Sequence, residues 1–135
     1  MKILIVEDEP TSRAILTQIL KGVEGTQVTV AESGQQAWEL LDDASRSFDV
    51  VFLDLEMPKL NGFDLLRRIR AAPLIRSIHV VICTASKDRE SVVKAIELGT
   101  RHYIVKPFTE ELVRAKLQQL RSSGSPSTER RLAGA

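Results

Sequence analysis

The sequence is poor in cysteine, which excludes two kinds of stabilising scaffold. Its single cysteine, Cys83, leaves no internal disulfide to form, and we expect a buried thiol because it ends the apolar run 80–83. Two separated histidines, His79 and His102, add too few ligands for a structural zinc site. We therefore expect the fold to be held together by an apolar core.

Strong net charge, long apolar runs and a secretory leader are also lacking. Lys and Arg number 19 against 18 Asp and Glu, and the net charge of +1 gives no reason to expect direct contact with nucleic acid. No run approaches the roughly 18 apolar residues of a membrane-spanning helix, so we expect no membrane contact. The chain reaches Glu7 and Asp8 too early for a secretory signal, which makes the cytoplasm the expected location.

The overall composition is typical of one globular domain. The 135 residues are 43% hydrophobic and 27% charged, and a chain of this length buries roughly two-thirds of its unfolded surface. After Leu120 the composition changes to Ser, Gly, Pro and charged residues, which is typical of a flexible segment. We therefore expect a folded domain over residues 1–121 and a flexible tail or linker stump over 122–135.

Five short apolar runs alternate with longer amphipathic stretches. The runs predict strands at 2–6, 27–31, 49–53, 78–83 and 103–105. The amphipathic stretches predict helices at 11–21, 34–44, 62–71, 87–98 and 109–120. The expected helix caps are Thr11 or Ser12 for the first helix, Ser33 for the second and Thr109 for the fifth, with Gly99 just past the end of the fourth.

This alternation of strand and helix predicts the fold class. Strands that are apolar throughout are typical of a parallel sheet that is covered on both faces. With right-handed crossovers, five such repeats give a three-layer α/β sandwich, a (βα)5 doubly wound parallel sheet.

Polar side chains follow four of the five predicted strands. Glu7 and Asp8 follow the first strand, Asp54 the third, Thr84 the fourth and Lys106 the fifth. Because the carboxyl ends of parallel strands share one edge of a sheet, we expect these side chains to lie close together. Clustered carboxylates repel one another, and a divalent cation and the Lys106 ammonium would supply the missing positive charge. Carboxylate, carbonyl and water oxygens favour Mg²⁺.

Such a site has the chemistry to accept a phosphoryl group. A metal with few protein ligands keeps coordination positions free for that group. Asp54 can then attack phosphorus as a carboxylate nucleophile. The metal and Lys106 would offset charge on the transferring group, and the Thr84 hydroxyl can hydrogen-bond one of its oxygens.

Five sequence pieces, in this order and at this spacing, point to one family. They are Ile-Leu-Ile-Val-Glu-Asp-Glu at 3–9, Asp54 with Met-Pro at 57–58 and Asn-Gly at 61–62, Thr-Ala at 84–85, Tyr103, and Lys-Pro-Phe at 106–108. From about residue 2 to 120 the chain resembles the receiver domains of response regulators in two-component signal transduction, chemotaxis receivers among them. The resemblance implies a flavodoxin-like sheet with strand order 2-1-3-4-5.

The resemblance also implies roles for the acidic residues. Asp54 would be phosphorylated, as the phosphoacceptor of a histidine-to-aspartate phosphorelay. Asp8 would bind Mg²⁺ directly and Glu7 through water, while Asp54 and the main-chain carbonyl of Glu56 would complete the protein ligands. The Glu56 side chain adds an acid two positions after Asp54, where family members vary and phosphoryl lifetime is tuned.

Three further residues would respond to phosphorylation. Lys106 would pair with the phosphoryl group, Thr84 would move toward it, and the ring of Tyr103 would change rotamer in response. The peptide bond from Lys106 to Pro107 is expected to be cis. Family members use the surface of the fourth helix, fifth strand and fifth helix for output.

The implied partners follow from this switch. A sensor histidine kinase or a phosphotransfer protein would donate the phosphoryl group, and a downstream effector domain or protein would bind the output surface. Arg101 and His102 would lie close to that surface, through which relatives often form homodimers. The chain would be a signalling domain and not an enzyme, although it would catalyse its own phosphoryl transfer and autodephosphorylation.

Two other functions compete with this interpretation. A metal-dependent phosphatase with an aspartyl-phosphate intermediate, similar to the haloacid dehalogenase group, uses related chemistry. Such enzymes usually place an Asp two residues after the nucleophile and then a Thr, where this chain has Glu56 and Pro58. A pseudo-receiver that docks partners without phosphorylation is the other alternative, and the complete set of site residues disfavours it.

Overall fold

The centre of the fold is a parallel sheet of five strands. The computed structural model describes residues 1–55, 62–84, 93–94 and 96–122. The strands are β1 (Lys2–Val6), β2 (Gln27–Ala31), β3 (Val50–Asp54), β4 (His79–Thr84) and β5 (His102–Val105). They pair in the order β2-β1-β3-β4-β5, and all four pairings are parallel. The predicted sheet and its strand order are confirmed.

Four helices lie wholly within the described residues. They are α1 (Pro10–Lys21), α2 (Gly34–Asp42), α3 (Gly62–Ala71) and the last helix, α4 (Glu110–Ser122), which is the predicted fifth helix. The predicted fourth helix, 87–98, falls mostly outside the described residues, and Gly99 follows it with φ of +87°. None of the described helices has the length and apolarity that crossing a bilayer requires.

Two apolar clusters, one on each face of the sheet, hold the layers together. Successive strand residues such as Ile3 and Leu4 enter different clusters because side chains alternate along a strand. One cluster includes Leu4, Val51, Ile82, Leu41 of α2, and Leu65 and Ile69 of α3. The other includes Ile3, Phe52, buried Cys83, Leu16 of α1, and Val113 and Leu117 of α4. Each fully buried Leu, Ile or Phe side chain stabilises the fold by about 1.5–3 kcal/mol. Because helices cover both faces of the sheet, the predicted three-layer architecture is confirmed.

The strands β3 and β4 extend one residue beyond their predicted ends. Asp54 pairs with Cys83 and Thr84 pairs with Val105, so both polar residues belong to the ladder. The sequence prediction ended each strand at the last apolar residue, although strand hydrogen bonds involve the backbone of any residue type. The consequence for function is that the sheet itself fixes the backbones of Asp54 and Thr84.

Helix α1 begins with a cap that the sequence did not predict. Glu9 is the N-cap, and its carboxylate accepts hydrogen bonds from the amides of Thr11 at 3.0 Å and Ser12 at 2.6 Å. The expectation of Thr11 or Ser12 as cap was wrong, because Pro10 starts the helix one residue earlier. These amide hydrogen bonds, Ser12 first, lower the pKa of Glu9 to about 2. The caps predicted at Ser33 and Thr109 are confirmed.

The C-terminal ends of α2 and α4 differ slightly from the predicted ones. Helix α2 ends at Asp42, two residues before the predicted end, because Asp43 leaves the helix and accepts hydrogen bonds from Ser45. Helix α4 continues through Ser122, whose hydroxyl donates to the carbonyl of Gln118 at 3.0 Å. The rest of the predicted tail lies outside the described residues.

Gly62 lets the start of α3 approach the end of β3. Its amide lies 3.4 Å from the carbonyl oxygen of Leu55. A β-carbon at position 62 would overlap the main-chain oxygen of Asp54 and would lie 3.1 Å from its carbonyl carbon. Only glycine fits here, and its size sets the path of the chain past Asp54.

We expect Gly62→Ala to destabilise the protein by about 2–3 kcal/mol, because backbone atoms cannot move aside as a flexible side chain can. Urea unfolding measures the change. The control is Gly22→Ala, where the nearest atom to the added carbon is 3.4 Å away and φ of −76° suits alanine. Equal losses in the two variants would contradict the close approach at Gly62.

Candidate functional site

The three predicted carboxylates come together at the carboxyl edge of the sheet. Strands β1 and β3 are neighbours and end at the same level, since Val6 pairs with Leu53. Glu7, Asp8 and Asp54 each place a carboxylate oxygen within 4.8 Å of the others. Glu7 is 2% exposed and Asp54 4% exposed, while Asp8 is half-buried. The chain therefore concentrates negative charge where it is poorly hydrated.

Lys106 brings an ammonium to this acidic cluster from the end of β5. Its amide donates to the carbonyl of Thr84 at 2.7 Å, which fixes its backbone beside β4. Its Nζ forms an ion pair with Glu7 and lies 3.4 Å from Oδ2 of Asp54. The peptide bond from Lys106 to Pro107 is cis, as the resemblance predicted.

The ionisation of the cluster shows that one ammonium does not balance it. Burial raises the pKa of Glu7 to about 8, and the hydrogen bond and charge of Asp54 act in the same direction against the opposing effect of Lys106. Burial alone would lower the pKa of Lys106, but the hydrogen bond with Glu7 and the charges of both carboxylates raise it. Burial is thus the main cause of the shift at Glu7, and the neighbouring negative charge is the cause of the shift at Lys106.

The Glu7 side chain shows that the cluster suits a hard cation. Apart from the ion pair with Lys106, neither of its buried oxygens accepts a well-directed hydrogen bond in the described part of the chain. Burying a carboxylate without such partners is costly, and metal coordination is one way to offset that cost. Oxygen donors of this kind match the preference of Mg²⁺. The residues present therefore fit the predicted ion, while Glu56, the other predicted ligand, lies outside the described residues.

The two predicted switch residues lie on the neighbouring strands β4 and β5, of which β5 is an edge strand of the sheet. Thr84 ends β4, is 2% exposed, and follows Cys83, which pairs with Asp54. Tyr103 of β5 pairs with Ile82 of β4, and the residue is 50% exposed. The structure thus brings Thr84 to the same edge as the acids and leaves the Tyr103 ring half in solvent.

Arg13 is a site residue that the sequence reasoning missed. Its Nη1 donates to the main-chain carbonyls of Glu7 at 3.1 Å and Asp8 at 3.3 Å. Its Nη2 lies 3.7 Å from a carboxylate oxygen of Glu32. The guanidinium thereby holds the turn that carries the acidic pair. The sequence feature that could have identified Arg13 is its place in the first turn of a helix, where the helix dipole favours acidic and not basic residues.

Comparison with known proteins agrees with this geometry. The family model described as response regulator receiver domain matches residues 3–118. Chemotaxis protein CheY1 of Helicobacter pylori is 36% identical over 118 residues, which are 87% of this chain and 94% of that protein. Chemotaxis protein CheY-3 of Vibrio cholerae is 37% identical over 120 residues, covering 89% and 91% of the two chains.

A solved structure adds the metal to the comparison. The receiver domain of a sensor histidine kinase from Pseudomonas aeruginosa, with a magnesium ion coordinated in its active-site cleft, superimposes with a TM-score of 0.79 at 27% identity. The match covers 88% of this chain and 95% of that chain. Neither the phosphatase nor the pseudo-receiver alternative is favoured by these relatives. The chain belongs to the response regulator receiver domains, the phosphoacceptor domains of two-component signalling.

Proposed function

We propose that Asp54 receives the phosphoryl group and that a sensor histidine kinase or phosphotransfer protein donates it. One observation carries the proposal. Three acids, two of them almost fully buried, meet one ammonium at the edge of the sheet, with Lys106 Nζ 3.4 Å from Oδ2 of Asp54. A buried carboxylate next to a fixed cation is suited to act as a nucleophile toward an anionic group.

The reaction is a transfer from a phosphorylated imidazole to a carboxylate. An oxygen of Asp54 attacks phosphorus, the new O–P bond forms as the P–N bond breaks, and the imidazole leaves with the electron pair. Lys106 contacts the negative oxygens of the transferring group, which lowers the charge that the attacking carboxylate meets. Arg13 acts as a positioning residue, since its hydrogen bonds to two carbonyls keep the acidic pair in place.

We propose that Asp8 and Asp54 hold Mg²⁺ directly, Glu7 through water, and that the carbonyl of Glu56 completes the protein ligands. When bound, the ion would neutralise charge on the phosphoryl group. The buried Glu7 carboxylate, which has the ion pair with Lys106 but no well-directed hydrogen bond among the described residues, and the 4.8 Å cluster of carboxylates support this assignment. The solved relative with a coordinated magnesium ion supports it as well.

Phosphorylation is proposed to act through Thr84 and Tyr103. A phosphoryl group adds roughly −1.5 to −2 charge, and the Thr84 hydroxyl and Lys106 would turn toward it. The half-exposed ring of Tyr103 would then shift toward a buried rotamer, changing the populations of the output surface. An effector domain or protein binds this surface, which is formed by the predicted fourth helix, β5 and α4.

The same site is proposed to end the signal. Water would attack phosphorus, the bond between phosphorus and the Asp54 oxygen would break, and inorganic phosphate would leave with Asp54 regenerated. The domain would thus catalyse its own phosphorylation and dephosphorylation without processing a separate substrate. The acidic side chain of Glu56 is the proposed modifier of that rate. A receiver over residues 1–121, a flexible tail over 122–135 and homodimer formation through the output surface stay predictions.

Beryllofluoride with Mg²⁺ tests this proposal by NMR, because it mimics a phosphoryl group on a carboxylate. We expect the amide signals of Thr84 and Tyr103 to shift strongly and to saturate. The matched control is the same titration without Mg²⁺, in which the shifts should be absent. Unchanged signals at both residues with Mg²⁺ present would contradict the assigned site and switch.

A further inference from the structure

A second concave site lies at the opposite edge of the sheet from Asp54. Strands β4 and β5 begin there, at His79 and His102. A cavity of about 510 Å³ opens between these strand starts and the end of α3. Its polar lining residues include Arg70, Arg76, His79, Thr100, Arg101 and His102, and we call it the basic groove.

The charge of the basic groove is all of one sign. Among the described residues, three guanidinium groups and two imidazoles line it and no carboxylate does. Within the described residues, none of Arg70, Arg76 and Arg101 forms an ion pair with an acid. A concave surface of uncompensated positive charge concentrates anions.

The three arginines differ in how they are used. Arg70 donates from Nη1 to the carbonyls of Arg76 at 2.6 Å and Ile78 at 2.9 Å, and from Nε to that of Leu98 at 3.2 Å. It therefore joins α3, the start of β4 and the residue before Gly99, and burial lowers its pKa. Arg76 and Arg101, in contrast, are exposed, and their side chains do not share the structural role of Arg70.

Two residues that line the groove, Thr100 and His102, each carry a buried polar atom that has no hydrogen-bond partner among the described residues. Thr100 is 3% exposed, and its hydroxyl is unpaired. Nδ1 of His102 is also buried and unpaired, and its ring lies 6.3 Å from that of His79. Burial, followed by the charges of Lys116, His79 and Arg101, lowers the pKa of His102. Buried polar groups without partners are costly, so a side-chain rotation that brings either atom to an acceptor oxygen of a ligand in the groove would be favourable.

We propose that the basic groove binds a small molecule that bears a phosphate group. Guanidinium groups bind phosphate oxygens through paired, charge-assisted hydrogen bonds, and a hydroxyl and an imidazole would add two more donors. The cavity volume lies within the range of about 300–1,000 Å³ that is common for small-molecule sites, so it also holds an organic portion. This site is separate from the phosphoacceptor, which lies at the other ends of the same strands.

The test is an NMR titration of the whole chain, without Mg²⁺ and at constant ionic strength, with inorganic phosphate and with adenosine 5′-monophosphate. We expect saturable shifts of the Thr100 and His102 signals with at least one probe. Tighter binding of the nucleotide would identify a phosphorylated organic molecule, and equal binding would identify phosphate itself. Sodium chloride at matched ionic strength should not produce these shifts.

Variants of the exposed arginines decide whether the groove itself is responsible. Arg76→Ala and Arg101→Ala should each weaken binding about tenfold, the effect of one charge-assisted contact. The control is Arg67→Ala on the outer side of α3, where the guanidinium pairs with Asp64, and it should bind as the parent does. Absence of saturation with both probes, shifts confined to the Asp54 edge, or equal weakening in all three variants would overturn the proposal.

Discussion

Asp54→Asn is expected to reduce phosphoryl incorporation by more than about a thousandfold, the scale of losing a nucleophile. The amide that replaces the carboxylate has nearly the same shape but does not attack phosphorus. We expect little labelling of a neighbouring acid, because the β3–β4 ladder fixes the backbone of Asp54 and holds its carboxylate 3.4 Å from Lys106 Nζ, whereas the Glu7 carboxylate is held in its own ion pair with Lys106. Intact mass spectrometry after incubation with acetyl phosphate and Mg²⁺ measures the adduct.

Two controls separate chemistry from folding in this experiment. Asp42→Asn changes an exposed aspartate at the end of α2 and should be phosphorylated at the parental rate. Asp54→Asn should also unfold at no lower temperature than the parent without Mg²⁺, because it removes one charge from a crowded acidic cluster. Labelling of Asp54→Asn at the parental rate would refute the assignment, and mapping the adduct would show which residue accepts the group.

Sequence patterns predicted the sheet well because strand and helix periodicity reflect burial directly. The bounds of β1, β2 and α3 agree with prediction to the residue: Glu7 and Glu32 follow the two strands, and α3 begins at Gly62 and ends shortly before Pro73. The bounds of β3 and β4 differ by one residue, because Asp54 and Thr84 continue a ladder that depends on their partners and not on their own polarity. Strand order came from the family resemblance, since periodicity alone does not specify which strands are neighbours.

The acidic cluster was also predicted, but its supporting contacts were not. The side chains of Glu9 and Arg13 both bind main-chain atoms. Every residue has such atoms, so the sequence contains no complementary side chain that would indicate these contacts. The order of burial was equally hidden: Glu7 is almost fully buried, whereas the adjacent Asp8 is half-buried. That difference depends on which side of the strand end each side chain faces.

At pH 8 and without divalent cations, Glu7→Gln is expected to stabilise the folded protein by about 2 kcal/mol or more. The folded-state pKa of Glu7 is about 8 against an ordinary value of 4.5, so ionising this carboxyl group costs more in the folded than in the unfolded protein. At about 1.4 kcal/mol per pH unit, that cost reaches at most about 5 kcal/mol. Glutamine avoids it but gives up the ion pair with Lys106, which makes the net gain smaller.

The pH dependence identifies the group responsible. Between pH 4.5 and 8 the folded protein retains the Glu7 proton that the unfolded chain has lost, so the stability of the parent should fall as pH rises and level off above 8. Glu7→Gln has no such proton, and its stability should change less across this window. The two proteins should therefore be similar near pH 4.5 and differ most at pH 8, as measured by urea unfolding at each pH.

Magnesium should reverse the order of stability, and this reversal links the cost at Glu7 to function. An ion that binds only the folded state stabilises it by about 2.7 kcal/mol at a hundredfold excess over its dissociation constant. The parent should gain most of this and Glu7→Gln much less, because the variant loses a charge of the ion site. Glu24→Gln, which changes an exposed acid in the turn after α1, should respond as the parent does in both conditions.

If Glu7→Gln were instead less stable than the parent at pH 8 without Mg²⁺, the ion pair with Lys106 would outweigh the cost of burial. The acidic cluster would then stabilise the fold without a cation, which would contradict the inference that its negative charge serves to bind one.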